Sequence, residues 1–383
     1  MVISMKKEVT VVEVNNIAVF PPVINLLENL LNNGHKVNFI GMGLEALPDR
    51  ISKSPNFVGT EVRDASHKRS PFIVKRYIDR RKLENRTRVA VKEQMAHSDV
   101  LWTTSYNTVK TLQEMVIQYK NVMQFMELAD KGYTFKHITQ FPLKEYAQKS
   151  WKVVVAEKNR AYIEKAIWGL SKLPEVLPNK PYCLETGEVT EEMIKPLEKI
   201  KSEKRKIILY LGGIWPDRNL TPFASAIRQL ENDYCLYIIG KAYGEKSEKH
   251  LKDLIDNYGV TYLGGFIPPK HLEFVKYVHI GMLSYASVTG DSISSLNALY
   301  CAPNKIYEYA AFGIPMIGND LLGLQQPFEQ YGIGECCDDT DSTSVAECLK
   351  RIENRYEELK SNCRKFYEDT NLDEIVEKIL EEN

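Results

Sequence analysis

An alternation of short β-rich runs with amphipathic helices is the feature that most constrains the fold of this chain. The run "EVTVVEV" (8–14) is dominated by valine and threonine, which favour strands. Apolar residues then recur at helical spacing from Val23 to Leu31, Gly34 ends the predicted helix, and "KVNFI" begins a second strand. A strand–helix–strand unit of about thirty residues is typical of a parallel, doubly wound sheet.

The same alternation continues through the first half of the chain and starts again in the second half. Further strands are predicted at "DVLWTT" (99–104), "NVMQFM" (121–126), "KVVVAE" (152–157), "KIILYLGG" (206–213), "YCLYIIG" (234–240), "TYLGG" (261–265), "HIGMLSY" (279–285) and "PMIGN" (315–319). The predicted fold class is therefore α/β, with two Rossmann-like doubly wound domains that face a common cleft.

A charged segment with several prolines interrupts the alternation and predicts the boundary between the domains. We expect an N-terminal domain over residues 1–180, an interdomain connection over 181–205, a C-terminal domain over 206–365 and a final helical segment over 366–383. A length of 383 residues is sufficient for two such domains.

Composition excludes several other classes of protein. A hydrophobic content of 44% and a net charge of −1 are typical of a soluble globular protein rather than a disordered or broadly nucleic-acid-binding one. The sequence contains no apolar run of membrane-spanning length, and its first residues lack the apolar block and cleavage site of a signal peptide, so none is expected. Its seven cysteines lack CxxC spacing, which disfavours disulfides and a zinc site and predicts a cytoplasmic protein.

The segment "LYLGGIWPDRNL" (209–220) predicts a ligand-binding turn after the first strand of the second half. Gly212 and Gly213 allow the backbone to approach a ligand closely, and Arg218 can reach an anion near the following helix. The alternative is an ordinary turn with a solvated arginine. No GxGxxG follows the first strand of either half and no GxxxxGK[ST] occurs, so dinucleotide and P-loop sites are not supported.

The segment "CAPNKIYEYAAFGIPMIGND" (301–320) predicts a helix of about ten residues that begins at Pro303 and is terminated by Gly313. Asn304, Lys305 and Glu308 share one face of this helix. The helix N-terminus and Lys305 suit a phosphate, and the carboxylate one turn later can accept hydrogen bonds from two sugar hydroxyls. A surface Lys–Glu pair is the alternative interpretation.

These segments resemble those of GT-B glycosyltransferases, especially the retaining enzymes of glycosyltransferase family four. "PNKIYEYAAFGIPMI" is similar to the family's P-x-K-x-x-E-x-x-A-x-G-x-P-v-I segment, and "LYLGGIWPDRNL" to its G-R-L-x-x-E-K-G turn. "VLPNKP" (176–181) resembles its V-I-P-N-G-V junction, and "LNNGHKVNFI" its A-x-R-G-H-x-V-x-V-x unit. The resemblance extends over nearly the whole chain in order.

The resemblance implies a role for each matching residue. Glu308 would bind the nucleotide ribose, Arg218 would bind the diphosphate, and Lys305 would lie near the diphosphate or the transferred sugar. Gly265, Phe266 and Ile267 would frame the base through backbone groups. The donor would be a nucleotide-diphospho-sugar, with UDP as the expected nucleotide, and neither a metal nor a cofactor would be required. The family also implies retention of configuration and a C-terminal helix that crosses back to the N-terminal domain.

Two positions depart from the family pattern. The family's first glutamate falls on Tyr300, and the arginine of its G-R-L turn falls on Gly213, so one diphosphate cation is missing unless Lys305 replaces it. Two alternative functions stay open, and the second of them is consistent with these departures. One is a non-hydrolysing nucleotide-sugar 2-epimerase, and the other is a non-catalytic nucleotide-sugar-binding partner of another transferase.

A basic stretch in the N-terminal half predicts the nature of the acceptor. Residues 68–92 contain ten basic and two acidic residues with apolar side chains interleaved, a mixture that suits an anionic membrane surface. Peripheral membrane contact is therefore expected. Together with this stretch, the resemblance to GT-B glycosyltransferases implies a saccharide or lipid-linked acceptor and a role in surface polysaccharide or glycolipid assembly. A solvated helix face is the alternative, and no nucleic-acid-binding motif accompanies the stretch.

Candidates for an acceptor-side base also lie in the N-terminal half. Glu127 is preferred because it follows the carboxyl end of a predicted strand, and other candidates are His97, Asp99, Asp130 and His137. "DTD" (339–341) resembles a metal-binding Asp-x-Asp, but it precedes a predicted helix that Asp341 can cap, so no metal site is predicted.

Overall fold

The computed structural model describes residues 6–63, 71–129, 132–134, 139–186, 188–215, 218, 220–266, 268–285 and 292–382. The chain forms two compact units. Unit 1 comprises Met1–Tyr182 and Asn371–Asn383, and unit 2 comprises Cys183–Thr370.

Unit 1 is built on a parallel sheet of seven described strands in the order β3-β2-β1-β4-β5-β8-β9, with a separate antiparallel pair β6-β7. The strands are β1 (Glu8–Asn16), β2 (Lys36–Met42), β3 (Phe57–Glu61), β4 (Val100–Thr103), β5 (Asn121–Phe125), β6 (Gly132–Thr134), β7 (Thr139–Phe141), β8 (Lys152–Val155) and β9 (Glu175–Val176). The strand order reverses between β1 and β4, which are neighbours in the sheet.

Helices cover both faces of this sheet because its strands are apolar on both sides. Val9 and Val11 of β1 lie in one apolar cluster, and Val12 and Val14 lie in the cluster on the other face. The helices are α1 (Pro21–Asn32), α2 (Asp49–Ser52), α3 (Ile73–Gln94), α4 (Tyr106–Leu112), α5 (Leu143–Lys149) and α6 (Lys158–Trp168), with 3-10 turns at Ile17–Val19, Leu44–Ala46 and Gln113–Ile117.

Unit 2 contains a parallel sheet of six described strands in the order β12-β11-β10-β13-β14-β15. The strands are β10 (Lys206–Leu211), β11 (Tyr234–Ile239), β12 (Thr261–Gly264), β13 (Ile280–Leu283), β14 (Met316–Asn319) and β15 (Gly334–Cys337). Here the order reverses between β10 and β13. Alternate residues of β10 again pack into two different apolar clusters, Ile207 and Leu209 on one face and Ile208 and Tyr210 on the other.

The segment predicted as an interdomain connection contains a helix of unit 2. The unit 2 helices are α7 (Glu191–Ser202), α8 (Thr221–Gln229), α9 (Glu245–Tyr258), α10 (Leu272–Val275), α11 (Ser292–Leu299), α12 (Asn304–Ala311), α13 (Leu322–Tyr331), α14 (Ser342–Asn354) and α15 (Tyr356–Asp369). Met193, Leu197 and Ile200 of α7 are buried in the core of unit 2. The range 181–205 thus includes a helix that packs in unit 2, and charged residues obscure the i, i+4, i+7 apolar spacing of this helix in the sequence.

The C-terminal helix α16 (Leu372–Leu380) packs in unit 1 rather than in unit 2. Its apolar face joins the core of unit 1 through Val376 and Ile379, which are each 1% exposed. The wholly buried His35 accepts a hydrogen bond from the Lys7 amide at 3.0 Å and contacts the Glu377 carboxylate of this helix at 2.9 Å. Both apolar burial and polar contacts thus hold the end of the chain against the first strands.

Helices α14 and α15 are separate because the chain bends between them at Arg355 (φ −123°, ψ 17°). The sequence patterns do not predict strands β3 and β15. β3 is an edge strand with exposed residues, and β15 is short and polar, so neither has a clear apolar pattern.

All seven cysteines are free thiols. Among the helices of the described ranges, none has both the length and the apolar character that crossing a membrane requires.

We predict that Ile379→Ala lowers the free energy of unfolding by about 2–5 kcal/mol, since truncating a buried isoleucine loses apolar contact and leaves a cavity. Denaturant unfolding followed by tryptophan fluorescence measures this, because Trp102, Trp151 and Trp168 all lie in unit 1. Lys378→Ala, at an exposed position of the same helix, should change stability by less than about 0.5 kcal/mol. Equal stability of the two variants would contradict the assignment of α16 to the core.

Candidate functional site

The carboxyl edge of the unit 2 sheet carries most of the residues that the sequence singled out. Ligands of open α/β sheets bind outside the carboxyl ends of the strands at the point where strand order reverses. In unit 2 this point lies between β10 and β13. Gly212 and Gly213 follow β10 directly, Ser284 and Tyr285 follow β13, and α12 lies between β13 and β14 in the chain.

Glycines allow the loops of this edge to pack backbone against backbone. A Cβ atom on Gly240, after β11, would lie 1.7 Å from the Gly212 carbonyl oxygen. A Cβ atom on Gly265, after β12, would lie 3.2 Å from the Gly240 carbonyl oxygen. Gly212 and Gly264 adopt φ angles of +149° and +105°, which side chains disfavour. Gly240 is therefore as important to this edge as the predicted Gly212, although no motif indicated it.

Arg218 is held at this edge by aromatic side chains. Its Nη1 donates a hydrogen bond to the Tyr210 hydroxyl at 3.1 Å, and its guanidinium lies over the Tyr285 ring, 4.7 Å from the centroid. Asn319, at the end of β14, accepts a hydrogen bond from the Tyr285 amide at 3.0 Å and donates one to the Tyr285 carbonyl. The position of Arg218 thus depends on residues at the carboxyl ends of β10, β13 and β14. The sequence alone does not show that these three strands are neighbours.

Helix α12 is anchored on the sheet by Tyr309, which is wholly buried. Its hydroxyl donates a hydrogen bond to the Leu209 carbonyl of β10 at 2.7 Å. The ring packs against Gly281 of β13, where an added Cβ would lie 2.5 Å from a ring carbon. Because α12 runs antiparallel to the strands, its N-terminus lies at their carboxyl edge.

The N-terminus of α12 keeps unused hydrogen-bonding capacity. Pro303 is the N-cap residue rather than part of the first turn, and no side chain caps the helix. Asn304 and Lys305 follow, and the Lys305 ammonium makes no hydrogen bond or ion pair with the residues that the structure describes. At the other end Gly313 adopts the predicted left-handed conformation, with φ at +67°.

Glu308 is buried, and a histidine holds it in its ionised form. The carboxylate Oε2 lies 2.9 Å from Nε2 of His271, and each side chain is 8% exposed. Burial opposes ionisation of Glu308, but the charges of His271 and Lys305 and the hydrogen bond from His271 outweigh it and lower the pKa of Glu308 to about 2. This carboxylate is therefore an anion at every physiological pH.

His271 is the site residue that sequence reasoning missed. It lies just before α10, in the segment that follows β12, and its Nδ1 is buried without a hydrogen-bond partner in the described part of the chain. Phe266, from the loop predicted to frame a base, stacks on Phe274 of α10 with ring centroids 4.7 Å apart. The loop after β12 and the carboxylate of α12 are thus joined through α10, a contact between segments far apart in the sequence.

The remaining predicted residues lie elsewhere. Ile267, Asp130 and His137 fall outside the described residues. Glu127 follows β5 in unit 1, as predicted, with an exposed side chain that pairs with the buried Arg160 at 3.3 Å. Asp99 accepts a hydrogen bond from the Glu8 amide at the start of β1.

The structure also bears on the predicted absence of a metal. Asp341 caps α14 through the Thr343 and Ser344 amides, which confirms the predicted N-cap. Within the described ranges, no group of three or more His, Cys, Asp or Glu side chains is arranged to hold a metal ion. Metal independence itself stays a prediction.

The domain that carries this edge matches a known protein family. Residues 193–369, most of unit 2, match the protein family described as "Glycosyl transferases group 1". The match includes Arg218, Lys305 and Glu308, and it supports a glycosyltransferase. No curated protein matches the chain by sequence.

Solved structures with the same fold cover nearly the whole chain. Sucrose-phosphate synthase from Thermosynechococcus elongatus is 14% identical with a TM-score of 0.70, over 98% of this chain and 97% of that one. HepE from Anabaena, in complex with UDP and glucose, is 10% identical with a TM-score of 0.67, over 98% of both chains. A glycosyltransferase from Rickettsia africae is 14% identical with a TM-score of 0.66, over 98% and 97%. These similarities confirm the predicted GT-B fold.

We predict that Gly240→Ala destabilises the protein by more than the roughly 1–3 kcal/mol of ordinary overpacking, because the new methyl group would overlap the Gly212 carbonyl. Gly259→Ala is the matched control. Gly259 also has a positive φ (+67°), but a Cβ there meets only the end of the Arg228 side chain, at 3.3 Å. Gly259→Ala should lower the free energy of unfolding by about 1–2 kcal/mol, because an alanine is strained in the left-handed conformation. Denaturant unfolding measures both, and equal losses would contradict the close approach of the two loops.

Proposed function

We propose that the protein is a glycosyltransferase that moves a sugar from a nucleotide-diphospho-sugar to an acceptor hydroxyl. The observation that carries this proposal is the grouping of Arg218, Lys305 and the uncapped N-terminus of α12 at the carboxyl edge of a sheet in a group 1 glycosyl transferase domain. Two cations and a helix N-terminus without a side-chain cap suit a diphosphate.

The ionised Glu308 supports a nucleoside attached to that diphosphate. A carboxylate fixed by His271 can accept hydrogen bonds from both ribose hydroxyls, and its negative charge would repel a phosphate at the same place. The backbone of Gly265 and Phe266 lies on the same edge and suits recognition of a base. UDP is the nucleotide we propose, since HepE of similar fold was solved with UDP and glucose.

The chemistry requires stabilisation of the leaving group. When the bond from the sugar to the diphosphate breaks, negative charge accumulates on the diphosphate oxygens. Arg218, Lys305 and the α12 amides would stabilise that charge without a divalent metal. Retention of configuration, with the diphosphate accepting the proton of the incoming hydroxyl, is part of the proposal, and so is Glu127 as an alternative acceptor-side base.

We predict that Arg218→Ala weakens binding of UDP by roughly 10- to 100-fold, because it removes a charged hydrogen bond to phosphate. The affinity for uridine should be unchanged, since uridine has no phosphate. Glu308→Gln should instead weaken uridine and UDP by the same factor, because both contain the ribose. Calorimetric titration of the full chain measures the affinity of each of the two variants for UDP and for uridine.

Arg228→Ala is the control for these titrations, because Arg228 is an exposed residue near the end of α8 that pairs with Glu231. Wild-type affinity of Arg218→Ala for UDP would refute the proposed diphosphate site. Incubation with UDP-glucose and an acceptor distinguishes a glycosyltransferase from a 2-epimerase. A transferase releases UDP, whereas a 2-epimerase produces a second nucleotide sugar.

The first turns of α3 support peripheral contact with an anionic membrane, and hence a lipid-linked acceptor. Phe72, Ile73 and Val74 are 72%, 74% and 71% exposed, and Tyr77 and Ile78 continue the same helical face. The basic residues beside this face are Lys75, Arg76, Arg80, Arg81 and Lys82. Lys68 and Arg69 of the predicted basic stretch lie outside the described residues. Exposed apolar side chains flanked by cations suit an anionic lipid surface.

We predict that replacing Phe72, Ile73 and Val74 together by serine lowers binding to phosphatidylglycerol vesicles at least about 10-fold, because their burial in lipid is lost. Co-sedimentation with vesicles measures this. The control is Val89→Ser, which removes an apolar side chain that is 57% exposed near the other end of α3. Equal binding by the triple variant and the wild type would exclude this face as the contact.

A further inference from the structure

A pair of stacked aromatic side chains lies beside the turn that carries Arg218. The rings of Trp215 and Tyr243 are nearly parallel, with an interplanar angle of 11° and centroids 4.7 Å apart. Trp215 is 39% exposed and Tyr243 is 53% exposed. Both rings therefore reach the surface at the carboxyl edge of the unit 2 sheet, and the stacking restricts the rotation of each side chain.

The backbone fixes this pair because the loops after β10 and β11 stay paired beyond the sheet. Ile214 and Ala242 form an isolated parallel bridge. The Ile214 amide donates a hydrogen bond to the Lys241 carbonyl at 2.9 Å. Trp215 and Tyr243 follow directly after the two bridged residues, so the bridge brings their side chains next to each other.

Each member of the pair is also held by the turn that contains it. The Trp215 carbonyl accepts a hydrogen bond from the Arg218 amide at 3.1 Å. The Tyr243 carbonyl accepts one from the Ser247 hydroxyl of α9 at 3.0 Å. Since the indole of Trp215 and the guanidinium of Arg218 belong to one hydrogen-bonded turn, a ligand that contacts one of them lies near the other.

The two consecutive glycines after β10 leave space for a donor from each of these side chains. A Cβ atom on Gly212 would lie 3.5 Å from Arg218 Nη1, and a Cβ atom on Gly213 would lie 2.5 Å from Trp215 Nε1. Because neighbouring Cα atoms are about 3.8 Å apart, the guanidinium and the indole nitrogen lie over adjacent residues of one backbone segment. Trp215 Nε1 makes no hydrogen bond with the residues that the structure describes.

The chemistry of these two donors selects a ligand whose oxygens only accept hydrogen bonds. An arginine guanidinium and an indole N–H both donate and have no lone pair to offer. A hydroxyl group would find no acceptor on either side chain, whereas the non-bridging oxygens of a diphosphate need only donors. The charge of the guanidinium strengthens its bond to such an oxygen.

We propose that the indole N–H of Trp215 donates a hydrogen bond to the diphosphate that Arg218 binds, and that Tyr243 is the positioning residue that holds the indole over Gly213. The identity of this ligand as the diphosphate of a nucleotide sugar rests on the proposed function. The indole adds direction to the charge of Arg218, because a hydrogen bond weakens steeply away from linear alignment and thus fixes where one phosphate oxygen lies.

NMR spectroscopy can observe this hydrogen bond directly. The chain has four tryptophans, of which Trp215 is the one in unit 2, so a ¹⁵N-labelled full chain gives few indole N–H resonances. The Trp215→Phe variant assigns the resonance of Trp215 by its loss. We expect UDP to move this resonance downfield, since its proton gains a charged acceptor, and uridine to leave it in place because uridine has no phosphate.

Affinities measured by calorimetric titration test both residues. Trp215→Phe keeps a ring that can stack on Tyr243 and loses the N–H, so it should weaken UDP binding about 10-fold and leave uridine binding unchanged. Tyr243→Ala should weaken UDP binding about 3- to 10-fold, because the indole is no longer held, whereas Tyr243→Phe keeps the stacking and should retain wild-type affinity. Tyr162→Ala, at a tyrosine of unit 1 that is 54% exposed, is the matched control.

Unchanged UDP affinity in Trp215→Phe, or equal movement of the Trp215 resonance by UDP and uridine, would overturn the contact with the diphosphate. Equal UDP affinities of Tyr243→Ala and Tyr243→Phe would overturn the positioning role. Failure of the proposed function is recognised separately, because it appears as wild-type UDP binding by Arg218→Ala. This inference alone fails if Arg218→Ala loses affinity for UDP and Trp215→Phe does not.

Discussion

The packing of Tyr309 onto the second sheet is the interaction on which the candidate site depends. Its hydroxyl bonds to the Leu209 carbonyl and its ring lies where Gly281 has no side chain, so α12 is fixed against β10 and β13. The next residue toward the N-terminus is Glu308, and Lys305 lies one turn earlier. The orientation of Tyr309 therefore sets where the carboxylate and the ammonium meet the edge of the sheet.

The buried contact between the Glu308 carboxylate and His271 adds a constraint of its own. A carboxylate taken out of water is costly unless a partner compensates it, and here the partner comes from the segment after β12. The pair consequently ties α12 to the loop that carries Gly265 and Phe266. In the proposed function, Glu308 of α12 binds the ribose and the loop after β12 binds the base. A shift of α12 would therefore also move the base-binding loop.

The two units place different chemistry at equivalent points of their sheets. Both sheets reverse strand order beside their first strand, and in both a polar network lies at the carboxyl edge. In unit 2 this network includes the cation Arg218, held by Tyr210 and Tyr285. In unit 1 it is neutral at the surface, with the carboxylate of Glu13 enclosed below.

The sequence by itself determined the α/β class, the two parallel sheets, and the helix with Lys305 and Glu308 on one face. It could do so because the spacing of apolar residues and the positions of proline and glycine determine secondary structure locally, within a few residues of each other. The same local signals failed at α7, whose apolar spacing is obscured by charges, and at the edge strand β3. Only the tertiary structure decided that His271 pairs with Glu308, that Gly240 meets Gly212, and that Glu13 joins two loops. These contacts join segments that are tens of residues apart in the sequence. The segments meet because of the order of the parallel strands in each sheet, and local sequence patterns do not reveal that order.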